Sequence, residues 1–231
     1  MANTGSKPRL WRRALRWALA ACAALGFALV ALIALWAFRP PVSTLMAARY
    51  VTGKPVERIW TPLERLPPHL LASVAASEDA TFCWHHGVDW GALRQVIRQG
   101  GADGPARGAS TIAMQTAKNL FLWPSRSTVR KGLEIPLAMI LTRTWGRRRV
   151  LEVYLNIAEW GDGVFGVEAA ARKHFGKAAV DLSPREAALL VSALPNPFRR
   201  DPAKPTAAQG RVVSIIMRRA AREGDWRACL R

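Results

Sequence analysis

Between Gly108 and Glu134 the chain sets Ser110, Thr111, Gln115, Lys118, Asn119, Arg126, Arg130, Lys131 and Glu134 around the apolar run Leu120-Phe121-Leu122-Trp123-Pro124. Arginine offers a planar fork to phosphate oxygens and lysine a mobile point charge, so both types beside one phosphorylated group make chemical sense. The mixture suits a substrate with a phosphorylated head and an apolar tail. Earlier comes a second cluster, Glu78-Asp79-Ala80-Thr81-Phe82-Cys83-Trp84-His85-His86-Gly87-Val88-Asp89. A carboxylate that takes a proton, with cations facing an anionic leaving group, is the equipment of a transfer reaction. Spacing alone does not establish this, because charge runs are usually solvated faces. The apolar run also reads two ways, as ordinary core or as a patch that enters lipid beside the cations.

These groups need elements to hold them. From His69 the pattern turns helical, and Leu70, Val74 and Glu78 share one face at i, i+4 and i+8. Glu78 then ends its helix, where the dipole's negative end raises a carboxylate's pKa toward a general base's range. Residues 100–108, rich in Gly and Pro, read as a mobile loop, a lid or flap. Helices follow at roughly 111–121, 128–144 and 147–158, with Pro136 kinking or breaking the second. A further helix runs from Glu168 to His174 and stops at Gly176. Ser183-Pro184-Arg185-Glu186 is a capping box with proline at the first helical position, and Thr206 to Gln209 opens the last helix. Phe82 reads as packed core, Glu186 as a cap and Glu152 as helix surface. No strand hairpin or internal repeat is evident, and residues 39–66 read as an extended linker.

Ahead of that linker, Trp17 to Phe38 carries no charge, and about 20 apolar residues at helical rise cross a bilayer's hydrocarbon layer. Lys7, Arg9, Arg12, Arg13 and Arg16 precede the run and only Arg39 follows at once, so the basic tail, residues 1–16, is expected in the cytoplasm and the domain outside. A cleaved signal peptide is the competing reading, against which stand the length of the run and the poor cleavage site Phe38-Arg39-Pro40-Pro41. The net charge of +18 drops by five without the tail and still implies an anionic partner. External placement favours anionic or pyrophosphate-bearing lipid over nucleic acid. Cys22, Cys83 and Cys229 form no disulfide framework, and a Cys83–Cys229 bridge has little support from sequence. His69, His85, His86 and His174 lack metal-ligand spacing.

Five runs, in order, resemble the peptidoglycan glycosyltransferases that polymerise lipid II. They are Glu78-Asp79-x-x-Phe82-x-x-His85-x-Gly87; Gly108 to Asn119; Arg130-Lys131-x-x-Glu134; Tyr154-Leu155-Asn156 with Gly161, Gly163 and Gly166; and Ser183-Pro184-x-Glu186 leading to Leu194-Pro195. The second run departs from the family's usual residues at Ala109, Ala113 and Met114. The resemblance spans about residues 40–220 and implies a mainly α, lysozyme-like domain at 67–222. It also implies a small membrane-facing jaw lobe at about 100–140, and a short tail at 223–231 lies beyond the domain.

By the same resemblance Glu78 and Glu134 are catalytic, and Glu78 deprotonates the acceptor's N-acetylglucosamine 4-hydroxyl. Asp79, Ser110, Thr111, Gln115, Lys118, Asn119, Arg126 and Arg130 are the substrate-binding set, and Asp79 with His85 is expected to hold the helix end and neighbouring loop rather than take the proton. Glu134 orients the cations, helps hold a divalent ion, or forms a plain salt bridge to Arg130 or Lys131. Asn156 and the Gly161-Asp162-Gly163 turn are expected to shape the donor-side wall. No metal site or cofactor is required, although Mg or Mn at the pyrophosphate is compatible with the site. The implied partners are lipid II, the growing glycan strand on polyprenyl pyrophosphate, the inner membrane and other cell-wall synthesis proteins. Cross-linking is expected to fall to one of the latter, because the remaining residues leave no room for a penicillin-binding domain. The competing functions are a membrane-anchored muramidase, acting on a neutral polysaccharide that gives the cations nothing to bind, and a non-enzymatic assembly scaffold, which leaves the glutamates idle.

Overall fold

The computed structural model describes residues 7–98, 109–124, 127–222 and 228–230. The chain divides into two compact units, residues 1–39 and 40–231. The first is a single helix, α1 (Lys7–Trp36), whose segment Trp11–Trp36 has a mean hydropathy of 2.6 and is long and apolar enough to cross a membrane. The helix ends just ahead of Arg39-Pro40-Pro41, where two prolines cannot continue its hydrogen bonding.

The second unit is mainly helical. Its helices are α2 (Thr44–Val51), α3 (Pro68–Glu78), α4 (Trp90–Arg98), α5 (Ile112–Phe121), α6 (Thr128–Ile157), α7 (Val167–Phe175), α8 (Pro184–Ala193) and α9 (Ala207–Arg222). α5 packs chiefly on α6, while α3 packs against α8 and α9. Leu70 and Val74 of α3, Ile112 and Met114 of α5, Leu141 and Leu155 of α6 and Leu190 of α8 are wholly buried. Each such side chain contributes about 1.5–3 kcal/mol relative to exposure. Val74 therefore fixes the face of α3 from which Glu78, one turn on, projects. The expected caps are present: the Ser183 hydroxyl and Glu186 carboxylate form the reciprocal box, and Thr206 accepts from Gln209 N at 3.2 Å.

Several elements differ from the sequence reading. The stretch read as an extended linker holds α2, capped by Ser43, whose hydroxyl accepts from Met46 N at 3.2 Å, and Met46 and Leu63 are buried in the domain. A three-stranded sheet is also present, with β1 (Glu57–Arg58) parallel to β3 (Val164–Phe165) and β2 (Glu159–Gly161) antiparallel to it. The strands are too short for a period-two pattern to register. The β2–β3 turn is held from α2, because Arg49 donates to Asp162 at 2.8 Å.

α6 runs through Pro136 without leaving helical angles. Its break is at Gly146 (φ 73°, ψ 164°), a left-handed setting that glycine adopts at no steric cost. Glu152 is no surface residue: it pairs with Arg149 and accepts from Leu63 N at 3.3 Å, joining α6 to the turn at Leu63–Arg65. The expected lid at residues 100–108 lies outside the described residues.

Candidate active site

Glu78 is the last residue of α3, as its spacing predicts. Its pKa is raised, and the first cause is burial, which penalises the charged form. Hydrogen bonds from Gln115 and Ser77 and the charge of Lys118 act in the opposite direction. Desolvation thus does what the sequence reading assigned to the helix dipole. Gln115 Nε2 donates to Glu78 Oε2 at 3.1 Å, and Ser77 Oγ donates to Oε1 at 3.1 Å.

The loop after Glu78 is built around Asp79. Its Oδ1 lies 2.8 Å from His85 Nε2, and its Oδ2 accepts from Ile112 N at 2.9 Å, at the first turn of α5. His85 Nδ1 accepts from Gly87 N at 3.2 Å, so the ring is satisfied as the neutral tautomer with its hydrogen on Nε2. Both Asp79 oxygens are therefore engaged by protein, and this residue, expected among the substrate contacts, ties the end of α3 to the start of α5. Thr111 is likewise a cap, donating to Gly87 O at 2.6 Å and accepting from Met114 N at 3.1 Å. Arg147, the residue after the α6 break, donates to Phe82 O at 3.2 Å and to His85 O at 2.8 Å.

Gly87 (φ +98°) lies against α6 so closely that a Cβ there would stand 2.6 Å from Ala138 O. Phe82 is buried, as expected. Cys83, at the centre of the loop, is bonded to Cys229 with a Cα–Cα distance of 5.4 Å, which corrects the reading that gave this bridge little support. Two cysteines far apart in the chain carry no spacing signal. Folding brings them together because the turn Ala228–Leu230 docks on α6, where Arg148 donates to Leu230 O at 2.8 Å.

The cations gather on the other side of Gln115. Lys118 and Arg130 line a cavity of about 260 Å³ with Thr44, Leu45, Asn119, Leu122, Trp123 and Pro124. Burial lowers the pKa of Lys118 and of Lys131, and Arg130 pushes both further down. Glu134, buried in α6, pairs with Arg130 one turn back and with Lys131 at 3.6 Å, and Lys131 also reaches the Ser110 hydroxyl. Glu134 therefore sets the guanidinium and ammonium rather than facing open solvent. Arg126 lies outside the described residues.

The run after the cations divides. Leu120 and Leu122 are core, whereas Trp123 is 45% exposed at the cavity rim. The three departures, Ala109, Ala113 and Met114, are all buried, so they serve packing. Asn156 is buried too. It clasps Thr61 through N–H and C=O at 2.8 and 2.9 Å, making it an internal staple rather than a wall of the cavity.

Sequence reasoning missed Tyr154, whose hydroxyl donates to Gln115 Oε1 at 3.3 Å, and α2, whose Thr44 donates to Asn119 O and Leu122 O at the end of α5. Tyr154 stood inside a noted motif, but nothing in the sequence pointed it at Gln115. Among the described residues no group of three or more His, Cys, Asp and Glu gathers to hold a metal ion.

The site thus joins a buried carboxylate at a helix end to a cavity lined by cations and apolar side chains, an arrangement compatible with group transfer from a phosphorylated, apolar-tailed donor. The sequence profile of the transglycosylase family matches residues 44–221, and the chain belongs to that family. It is 51% identical over 227 residues to a biosynthetic peptidoglycan transglycosylase of Rhodospirillum centenum, covering 96% of each chain. Proteins of the same name from Brucella melitensis (50% identical, 84% of this chain and 87% of the relative) and Rhizobium meliloti (46%, 96% and 95%) are also similar.

Proposed function

We propose that this chain is a peptidoglycan glycosyltransferase of cell-wall synthesis that polymerises lipid II. What carries the reading is Lys118, which lines the cavity with Arg130 and lies close enough to Glu78 for each to shift the other's pKa. Base and leaving-group cations thus belong to one site. Glu78 takes the proton of the acceptor's N-acetylglucosamine 4-hydroxyl as that oxygen attacks the anomeric carbon of the donor's N-acetylmuramic acid from the face opposite the pyrophosphate. The bond to the pyrophosphate oxygen breaks and the α-linkage becomes β. Polyprenyl pyrophosphate leaves with its charge held by Lys118, Arg130 and Lys131, joined by Arg126. Ser110 and Asn119 add neutral contacts, and Glu134 holds the cations in place. Trp123 and Pro124 meet the lipid tail at the rim.

No cofactor is needed for this chemistry. A divalent ion at the pyrophosphate would have to share Glu134 with Arg130 and Lys131. α1 anchors the enzyme in the inner membrane, with the N-terminus in the cytoplasm and the catalytic unit outside. A muramidase would leave the cations without a ligand.

The test is full-length protein in detergent with labelled lipid II, read as polymer, cleaved sugar or nothing, with and without EDTA. Polymer that persists in EDTA is expected. Glu78→Gln should cut polymerisation by about 10² to 10⁴ while a donor-like phosphoglycolipid inhibitor still binds. Turnover by Glu78→Gln within a few-fold of wild type would overturn the assignment of the base.

A further inference from the structure

Three hydrogen-bonded side chains cross the α5–α6 interface toward the base. Tyr154 Oη donates to Gln115 Oε1 at 3.3 Å, and Gln115 Nε2 donates to Glu78 Oε2 at 3.1 Å. We propose that Tyr154 is a positioning residue for the transfer reaction: acting through Gln115, it fixes which Glu78 oxygen accepts the proton. The inference rests on Glu78 being the base.

The direction of the chain follows from what each group can do. An ionised carboxylate only accepts, so the face of the Gln115 amide turned toward Glu78 must be its NH2. The carbonyl then faces Tyr154, whose hydroxyl must donate to it. Tyr154 is 1% exposed. Burial, together with the charges of Glu78 and Asp79, holds its pKa well above the ordinary value, so the donor hydrogen is present at every pH at which the enzyme works.

A primary amide is nearly symmetric in shape and can turn over. The Glu78 carboxylate opposes the reversal, which would face it with a carbonyl, and the Tyr154 hydroxyl adds to that preference by donating to the carbonyl in the observed orientation. Oε2 is thereby committed to Gln115. Among the described residues Oε1 meets only the hydroxyl of Ser77, a single-bond rotor that can turn aside, whereas the amide on Oε2 is held from behind. Oε1 is accordingly the oxygen that takes the acceptor's proton. Once the proton has transferred, the fixed amide still offers a donor to Oε2 and keeps the new hydrogen on Oε1.

Without the tyrosine hydroxyl the observed orientation keeps only its bond to Glu78, so the amide is held less firmly and more often presents its carbonyl to the carboxylate. This favours protonated Glu78 and misdirects its lone pairs. Among the described residues Tyr154 does not line the cavity and its hydroxyl bonds to Gln115, so binding should be spared.

The experiment uses full-length protein in detergent with lipid II. Tyr154→Phe, Gln115→Ala and the double variant are compared by kcat, KM, the acid limb of the pH–rate profile and affinity for a donor-like phosphoglycolipid. Tyr154→Phe should lower kcat about tenfold with KM and inhibitor affinity unchanged, and should move the acid limb to higher pH. The double variant should be no worse than Gln115→Ala, since Tyr154 acts only through that amide.

A kcat and acid limb within twofold of wild type, a rise in KM alone, or additive losses in the double variant would each overturn the proposal. If Tyr154→Phe fails to fold, Gln115→Ala carries the test, with the same loss of kcat and the same shift expected and a wild-type acid limb fatal. Glu78→Gln is run alongside. An active Glu78→Gln sinks the base assignment itself, whereas an inactive one beside a wild-type Tyr154→Phe sinks only the role of Tyr154.

Discussion

Replacing Cys229 by serine cuts the only covalent link between the loop that follows Glu78 and the turn at Ala228–Leu230. The bond joins residues 146 apart in sequence. Treated as a cross-link on the unfolded chain, a loop of that length costs the denatured state about 5 kcal/mol of conformational freedom, and measured native disulfides usually give about 2–4. The lower range is expected here, because Leu230 is buried and its carbonyl is held by Arg148, contacts that do not depend on the covalent bond itself. In a domain of this size such a loss lowers Tm by roughly 5 to 15 °C. The assay is thermal unfolding of full-length Cys229→Ser and wild type in detergent, with reduced wild type as a third sample. Oxidised wild type, once unfolded, should present the single thiol of Cys22, and reduction should expose three. Three reactive thiols before reduction, or a Cys229→Ser Tm within about one degree of wild type, would refute the reasoning.

Turnover should follow a bell-shaped pH profile narrowed on both sides. Glu78 must be ionised and its pKa lies above the usual 4.5, while Lys118 and Lys131 must be charged and theirs lie below the usual 10.5. A plateau reaching both ordinary values would contradict the burial of these groups. The same shift has a stability sign. The folded state binds Glu78's proton more tightly than the unfolded state, so ionised Glu78 weakens the fold above its folded pKa and costs nothing below its unfolded one. Glu78→Gln should therefore raise Tm at pH 7 and lose that advantage at acid pH, and a lowered Tm at pH 7 would count against it. Gly87→Ala brings a methyl within 2.6 Å of Ala138 O at a φ of +98°. It should destabilise by about 2–4 kcal/mol and abolish polymerisation, so a variant with normal melting and turnover would show the loop to be looser than described.

Much of the site could be read before folding because its chemistry is local. Glu78 ends a helix whose apolar face shows at four-residue spacing, and Arg130, Lys131 and Glu134 sit one turn apart on α6. What escaped depends on contacts between distant segments. α2 lies between Pro41 and Pro55, which read as an extended run, yet Ser43 caps it and Met46 packs into the core. Pro136 was expected to kink or break the helix at 128–144, which runs through it unbroken. The break is at Gly146, in the gap read between 128–144 and 147–158, and what escaped is that the turn there carries Arg147 onto the Phe82 and His85 carbonyls. Asp79 and His85 hold the end of α3 and the loop after it, as the sequence suggested, whereas Thr111 spends its hydrogen bonds inside the protein, and only coordinates separate that use from ligand contact. Tyr154 reads as core by type, and its hydroxyl acquires a role only because α5 lies across it.

Gly146 also divides α6 into two helices of independent phase. Arg130 and Glu134 lie on the first half, and Tyr154 and Asn156 on the second. Each residue added to or removed from an α-helix turns everything beyond it by about 100° and slides it about 1.5 Å. Length changes within the first half therefore swing Arg130 and Glu134 about an axis that the second half does not share, and the converse holds for Tyr154. Point substitutions on the outer faces of α6 leave this angular relation intact, whereas a single inserted or deleted residue on either side of Gly146 does not. The spacing of α6 is thus a tuned length, tolerant of spelling and intolerant of count.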